Sequence, residues 1–124
     1  MKMSRREFEN LVVSSIKEIP RVFREKMENI EVVIERFPSN ELISEMGLKS
    51  PYKLLGLYQG IPLNQRGFYY GNVLPDKITL FQGPIESSCK SRKEIKGKIK
   101  EVILHELGHY LGLDDSMIGV LEEN

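Results

Sequence analysis

The chain has 124 residues, a length that suits one domain with a modest core. Lys plus Arg and Asp plus Glu each number 18, so the charge balances at zero and favours neither a nucleic acid nor a membrane surface as partner. Cys89 is the only cysteine, which excludes an internal disulfide framework. The charged start MKMSRREFEN leads into no apolar signal core, and no apolar run is long enough to span a bilayer, so a cytoplasmic location is the expectation.

Ser4 with Glu7 three residues on forms a capping box that opens a first helix. Phe8, Leu11, Val12, Ile16 and Ile19 recur there at helical spacing and mark one apolar face. Pro20 belongs in the first turn of a short second helix over 21–27, because its ring disrupts helix interiors. The β-branched run I-E-V-V-I-E-R-F predicts a strand over 30–37, ended by Pro38, Ser39 and Asn40. Residues 41–50 read as a loop with a helical turn.

A second strand is expected over 53–59, followed by irregular backbone where Gly60 and Pro62 intervene. F-Y-Y-G after the Arg66-Gly67 turn suits a short extended piece, and a third strand is expected over 77–82 between Pro75 and Pro84. Ser91 with Glu94 is a second capping box, opening the longest helix over 92–111. Ile95, Ile99, Ile103 and Leu107 form its core stripe, Gly97 weakens it slightly, and Gly112 suits the left-handed position that stops it. A last short helix is expected over 116–121. Helices at both ends around three strands indicate a single α+β domain, 1–124.

The chemistry concentrates in H-E-L-G-H-Y-L-G-L-D-D, which holds both histidines and two of the three aspartates. On a helix, His105 and His109 project two imidazoles from one side, as cis ligands of a tetrahedral metal must. Glu106, rotated about 100° from His105, need not ligate but can reach a water held by the ion and take its proton. Gly112 lets the chain turn back, so that Asp115 closes the site as third ligand while Asp114 caps the last helix; the reverse assignment of the two aspartates stays open. The oxyanion donor is sought among Arg66, Tyr69, Tyr70 and Tyr110, of which Tyr110 better suits the core.

The motif H105-E106-x-x-H109-x-x-G112-x-x-D115 resembles the extended zincin pattern, and the chain resembles the small bacterial zincin-like metallopeptidases of minimal fold. L-L-G-L-Y-Q-G-I-P-L and L-P-D-K-I-T-L-F are similar to other recurrent stretches of that family. The resemblance implies His105, His109 and Asp115 as zinc ligands, Glu106 as general base, Zn2+ as cofactor, and a peptide or protein substrate. It further implies a minimal fold with a small three- to four-stranded mixed sheet packed on the active-site helix, and an edge strand that pairs with extended substrate, for which 77–82 is the candidate. An aspartate in the third position and no Met-turn separate the pattern from the metzincins. The expected function is a zinc metallopeptidase, with a monomer as default; the alternative is a weak or inactive zincin-like domain that binds peptides or proteins.

Overall fold

The computed structural model describes residues 1–60 and 76–113. Helix α1 (Arg5–Glu18) begins where Ser4 Oγ accepts the Glu7 amide at 3.1 Å and also meets the Glu7 carboxylate, completing the first capping box. Its apolar stripe buries Phe8 and Val12, and the buried Ser15 lets it lie close to the long C-terminal helix, where Ser15 Oγ donates to the Lys96 carbonyl at 3.0 Å. Ile19 caps the C-terminus of α1 from within the core, and Pro20 leads straight into α2 (Arg21–Lys26), where a missing N–H costs nothing.

Strand β1 (Ile30–Glu35) is followed by α3 (Asn40–Glu45), whose N-cap Ser39 accepts the Leu42 amide at 3.1 Å. The expected second strand divides in two. Pro51–Lys53 form a short 3-10 turn capped by Ser50, because proline at its start favours that turn over strand pairing, and β2 runs only over Gly56–Gln59. Strand β3 (Asp76–Phe81) lies between the others: it pairs parallel with β1 and antiparallel with β2, giving the order β1-β3-β2.

Two expectations about this region are corrected. Residues 77–82 were to supply an edge strand, but β3 is the central strand, with ladder partners on both sides. Its last four residues are all buried, the pattern of a strand covered on both faces rather than of an edge. Gln82 is not strand but the first residue of α4 (Gln82–Ser87), in which Gly83 and Pro84 occupy the first turn. Proline is tolerated there because its N–H would have no helical partner. Gly83 is needed for a different reason: a Cβ on it would lie 2.4 Å from the Phe37 ring.

Helix α5 (Arg92–Tyr110) starts at its capping box, with Ser91 Oγ accepting the Glu94 amide at 3.2 Å. Ile95, Ile99, Ile103 and Leu107 are all fully buried. They join Phe8, Ile78, Leu80 and Ile85 in one core between α1, α5 and the sheet. Each such side chain contributes roughly 1.5–3 kcal/mol by leaving water. Cys89 is buried in the same core. The fold is therefore α+β, with a three-stranded mixed sheet packed on a long helix. The short extended piece near Tyr69 and the helix over 116–121 lie outside the described residues.

Candidate metal centre

The last turns of α5 carry the site. His105 and His109 stand on the same side, ring centroids 4.9 Å apart and planes inclined at 72°. Both are partly exposed, whereas Glu106 between them is buried at 7% exposure. One oxygen of its carboxylate, Oε1, accepts the main-chain N–H of Tyr58 at 2.9 Å and stands 3.2 Å from His109 Nδ1. In the tautomer with its proton on Nδ1, His109 donates to that carboxylate and keeps the Nε2 lone pair for a metal.

The sheet decides where Glu106 lies. A Cβ at Gly56 would fall 2.4 Å from Val102 Cγ1, 3.1 Å from the Thr79 carbonyl oxygen and 3.7 Å from Glu106 Cγ. Glycine at this position therefore lets β2 press against α5. The Phe81 amide donates to the Leu55 carbonyl at 2.9 Å, which sets the alternation of the β2–β3 ladder. Leu57 and Gln59 share the hydrogen-bonding orientation of Leu55, so Gly56 and Tyr58 aim their main-chain groups away from β3. The Tyr58 N–H thus points out of the sheet, towards α5. A groove of about 270 Å³ adjoins this point; Leu54, Gly56 and Val102 line it beside His105 and Glu106, with Lys53 and Lys98 also contributing.

The helix stops as its glycine requires. Gly112 has φ +76°, its N–H donates to the His109 carbonyl at 3.0 Å, and the Leu113 N–H donates to the Gly108 carbonyl at 3.0 Å. This is a Schellman closure, and it reverses the chain immediately after the second histidine. Asp114 and Asp115, the expected cap and third ligand, lie outside the described residues, as do Arg66, Tyr69 and Tyr70. Tyr110 is buried at 4% exposure with its ring edge-on to Tyr58 at 5.7 Å, so it packs in the core.

Among the described residues, His105, Glu106 and His109 bring one ligand atom each to within 4.8 Å of one another. Two imidazoles with a carboxylate beside them suit zinc. The expected Glu106 geometry was only that of a neighbour to the metal. The structure brings its carboxylate into the cluster itself, held by a backbone donor that no side-chain motif reveals.

A long helix carrying paired histidines and a buried glutamate under a small mixed sheet has the architecture of a zincin-like site. The family model for zincin-like metallopeptidases matches residues 27–124, and the chain belongs to that family. The family implies a bound metal ion, typically zinc, and the His105, Glu106 and His109 group is its candidate site. A search of curated proteins finds no match to the chain. No helix among the described residues is long and apolar enough to cross a membrane.

Proposed function

We propose that the chain is a zinc-dependent peptidase that hydrolyses peptide bonds with Glu106 as general base. The observation that carries this reading is the convergence of His105, Glu106 and His109 beside the outward-facing main chain of β2. His105 and His109 would hold the ion, with Asp115 as the proposed third ligand. Zinc bound there would supply the positive charge that acidifies water and polarises a peptide carbonyl.

The chain's own residues do the rest. Glu106 takes a proton from the attacking water at its carboxylate and delivers it to the departing amine. Burial of Glu106 confines that exchange to a site largely screened from bulk solvent. Among the described residues β2 pairs in the sheet on one side only, so an extended peptide would take main-chain partners along β2, at Gly56. The adjoining groove then takes one of its side chains, against the apolar walls of Leu54 and Val102.

The test combines metal content with cleavage. Purified protein should take up one zinc per chain and cleave unfolded casein. Glu106→Gln should retain the zinc and lose the cleavage. Stoichiometric zinc without cleavage in the wild type would instead support the non-hydrolytic, peptide-binding alternative. Failure to take up zinc at micromolar concentration would remove the peptidase reading.

A further inference from the structure

We infer that the groove beside His105 reads a carboxylate on the substrate, with Lys53 and Lys98 as its specificity-determining residues. The inference rests on the peptidase reading above and deepens it by naming the substrate class. That class is peptides with an acidic side chain or a free C-terminal carboxylate close to the bond that is cut.

Helix α5 forms one wall of the groove. Lys98, Val102 and His105 share a helix face, with Glu101 at its margin. The segment from Lys53 to Gly56 forms the other wall. The two walls run in the same direction: Gly56 lies against Val102, and further on Tyr58 reaches Glu106 and the Tyr110 ring. Lys53 therefore belongs to the Lys98 end of the groove, and His105 and Glu106 to the other.

Charge is uneven along that length. At the His105 end, the Glu106 carboxylate is engaged by the Tyr58 N–H and stands beside His109. In the middle, Leu54 and Val102 are both buried and give an apolar floor. At the far end, Lys98 Nζ pairs with Glu101 Oε2 at 3.2 Å, which balances its charge but uses only part of its donor capacity. Lys53 is exposed and has no ion pair among the described residues, so its charge is the uncompensated one.

An apolar floor that ends in uncommitted ammonium donors suits a ligand with a hydrocarbon stem and an anionic tip. In a peptide, that tip is an acidic side chain or the C-terminal carboxylate. Lys98 precedes His105 by about 10 Å along the helix axis, and an extended peptide advances about 3.3 Å per residue. The carboxylate therefore falls within about three residues of the bond at the metal site.

The experiment uses zinc-loaded protein and peptides with a random core free of acidic residues. Each is made with a single glutamate or with glutamine in its place, ending in a free acid or in an amide. Mass spectrometry reads kcat/KM for every form. The glutamine amide, which has no carboxylate, should be cut roughly 10-fold more slowly than the best of the others. Whichever of the glutamate amide and the glutamine acid keeps the advantage identifies the source of the carboxylate. Lys53→Met together with Lys98→Met should reduce the advantage to about 2-fold or less. Lys53→Glu should favour peptides with lysine in place of the glutamate. Equal cutting of all forms by the wild type overturns the inference and leaves the peptidase reading standing. An advantage that survives in the double variant also overturns it, since a carboxylate bound by the ion itself does not depend on the lysines.

A second arm measures binding of the same peptides, dye-labelled, by fluorescence anisotropy to full-length Glu106→Gln. The carboxylate forms should bind roughly 10-fold more tightly than the glutamine amide, and the two lysine substitutions in that background should remove the difference. If the first arm shows no cleavage at all, the peptidase reading falls and this arm decides the inference. A lysine-dependent preference then keeps the carboxylate site in a peptide-binding domain. No preference, or no binding of any form, overturns it.

Discussion

Gly56 of β2 meets Val102 of α5 so closely that a Cβ on the glycine would lie 2.4 Å from Val102 Cγ1. The Thr79 carbonyl oxygen blocks the other direction at 3.1 Å, and as central-strand backbone it cannot give way. Gly56→Ala should therefore push β2 away from the helix. Overpacking of this kind costs about 1–3 kcal/mol. Urea unfolding should show that loss, and metal-dependent cleavage should fall with it, because the Tyr58 donor moves off Glu106.

Gly97 offers the opposite case. It lies within α5, exposed, and a Cβ there would have nothing within 4 Å. Gly97→Ala should stabilise the protein by about 0.5–1 kcal/mol, by restricting the unfolded chain and improving helix propensity. The thermal midpoint should rise while zinc uptake stays the same.

The fully buried Ile103 sits one turn behind the site, between Ile99 and Leu107. Ile103→Ala should cost about 2–5 kcal/mol, the range for opening a cavity in a packed core. Destabilisation below this range, measured by denaturant titration, would mean that the helix repacks locally.

His105→Ala and His109→Ala should each weaken zinc binding by more than the roughly 100-fold that follows loss of an outer-shell partner. Competition with a chromogenic chelator measures this directly. If either variant binds zinc as the wild type does, that histidine is not a ligand.

Glu18 at the end of α1 pairs with Lys96 of α5. The hydrogen bond from Lys96 is the main cause holding its carboxyl below the ordinary value of 4.5; desolvation opposes it, and the charges of Lys96 and Lys100 add lesser lowering effects. A depressed value in the folded state means that the pair stabilises above about pH 4.5 and loses that contribution as the pH falls through the lower folded value. The pair is exposed, so the effect is small and weakens with salt. Carboxyl-carbon NMR titration should find Glu18 below its ordinary value, and Lys96→Met should bring it back up.

Local chemistry was legible wherever a few adjacent residues carried it. Ser4 with Glu7 and Ser91 with Glu94 cap their helices because a side chain three residues from its partner needs no help from the rest of the fold. Gly112 stops α5 for an equally local reason, its positive φ. The stripe from Ile95 to Leu107 shows which face of α5 is buried, since helical spacing alone aligns it. The same spacing places His105 beside His109.

Helix α4 is not legible in Q-G-P, where glycine and proline are poor helix formers; it depends on Gly83 packing under Phe37 and on Gln82 bonding the Met3 carbonyl and Glu86. Strand order was equally hidden. The sequence of β3 fits an edge or a centre, and only its pairing with both β1 and β2 makes it central.

The amino-acid sequence by itself therefore determined the capped helices, the core face of α5 and the paired histidines, because each depends on residues within a turn or two of one another. Tertiary structure alone decided that β2 borders the site and that Glu106 is held by the Tyr58 backbone, 48 residues away in the chain. A main-chain N–H is the same in every residue type except proline, so its role depends on where the sheet directs it and leaves no mark in the sequence.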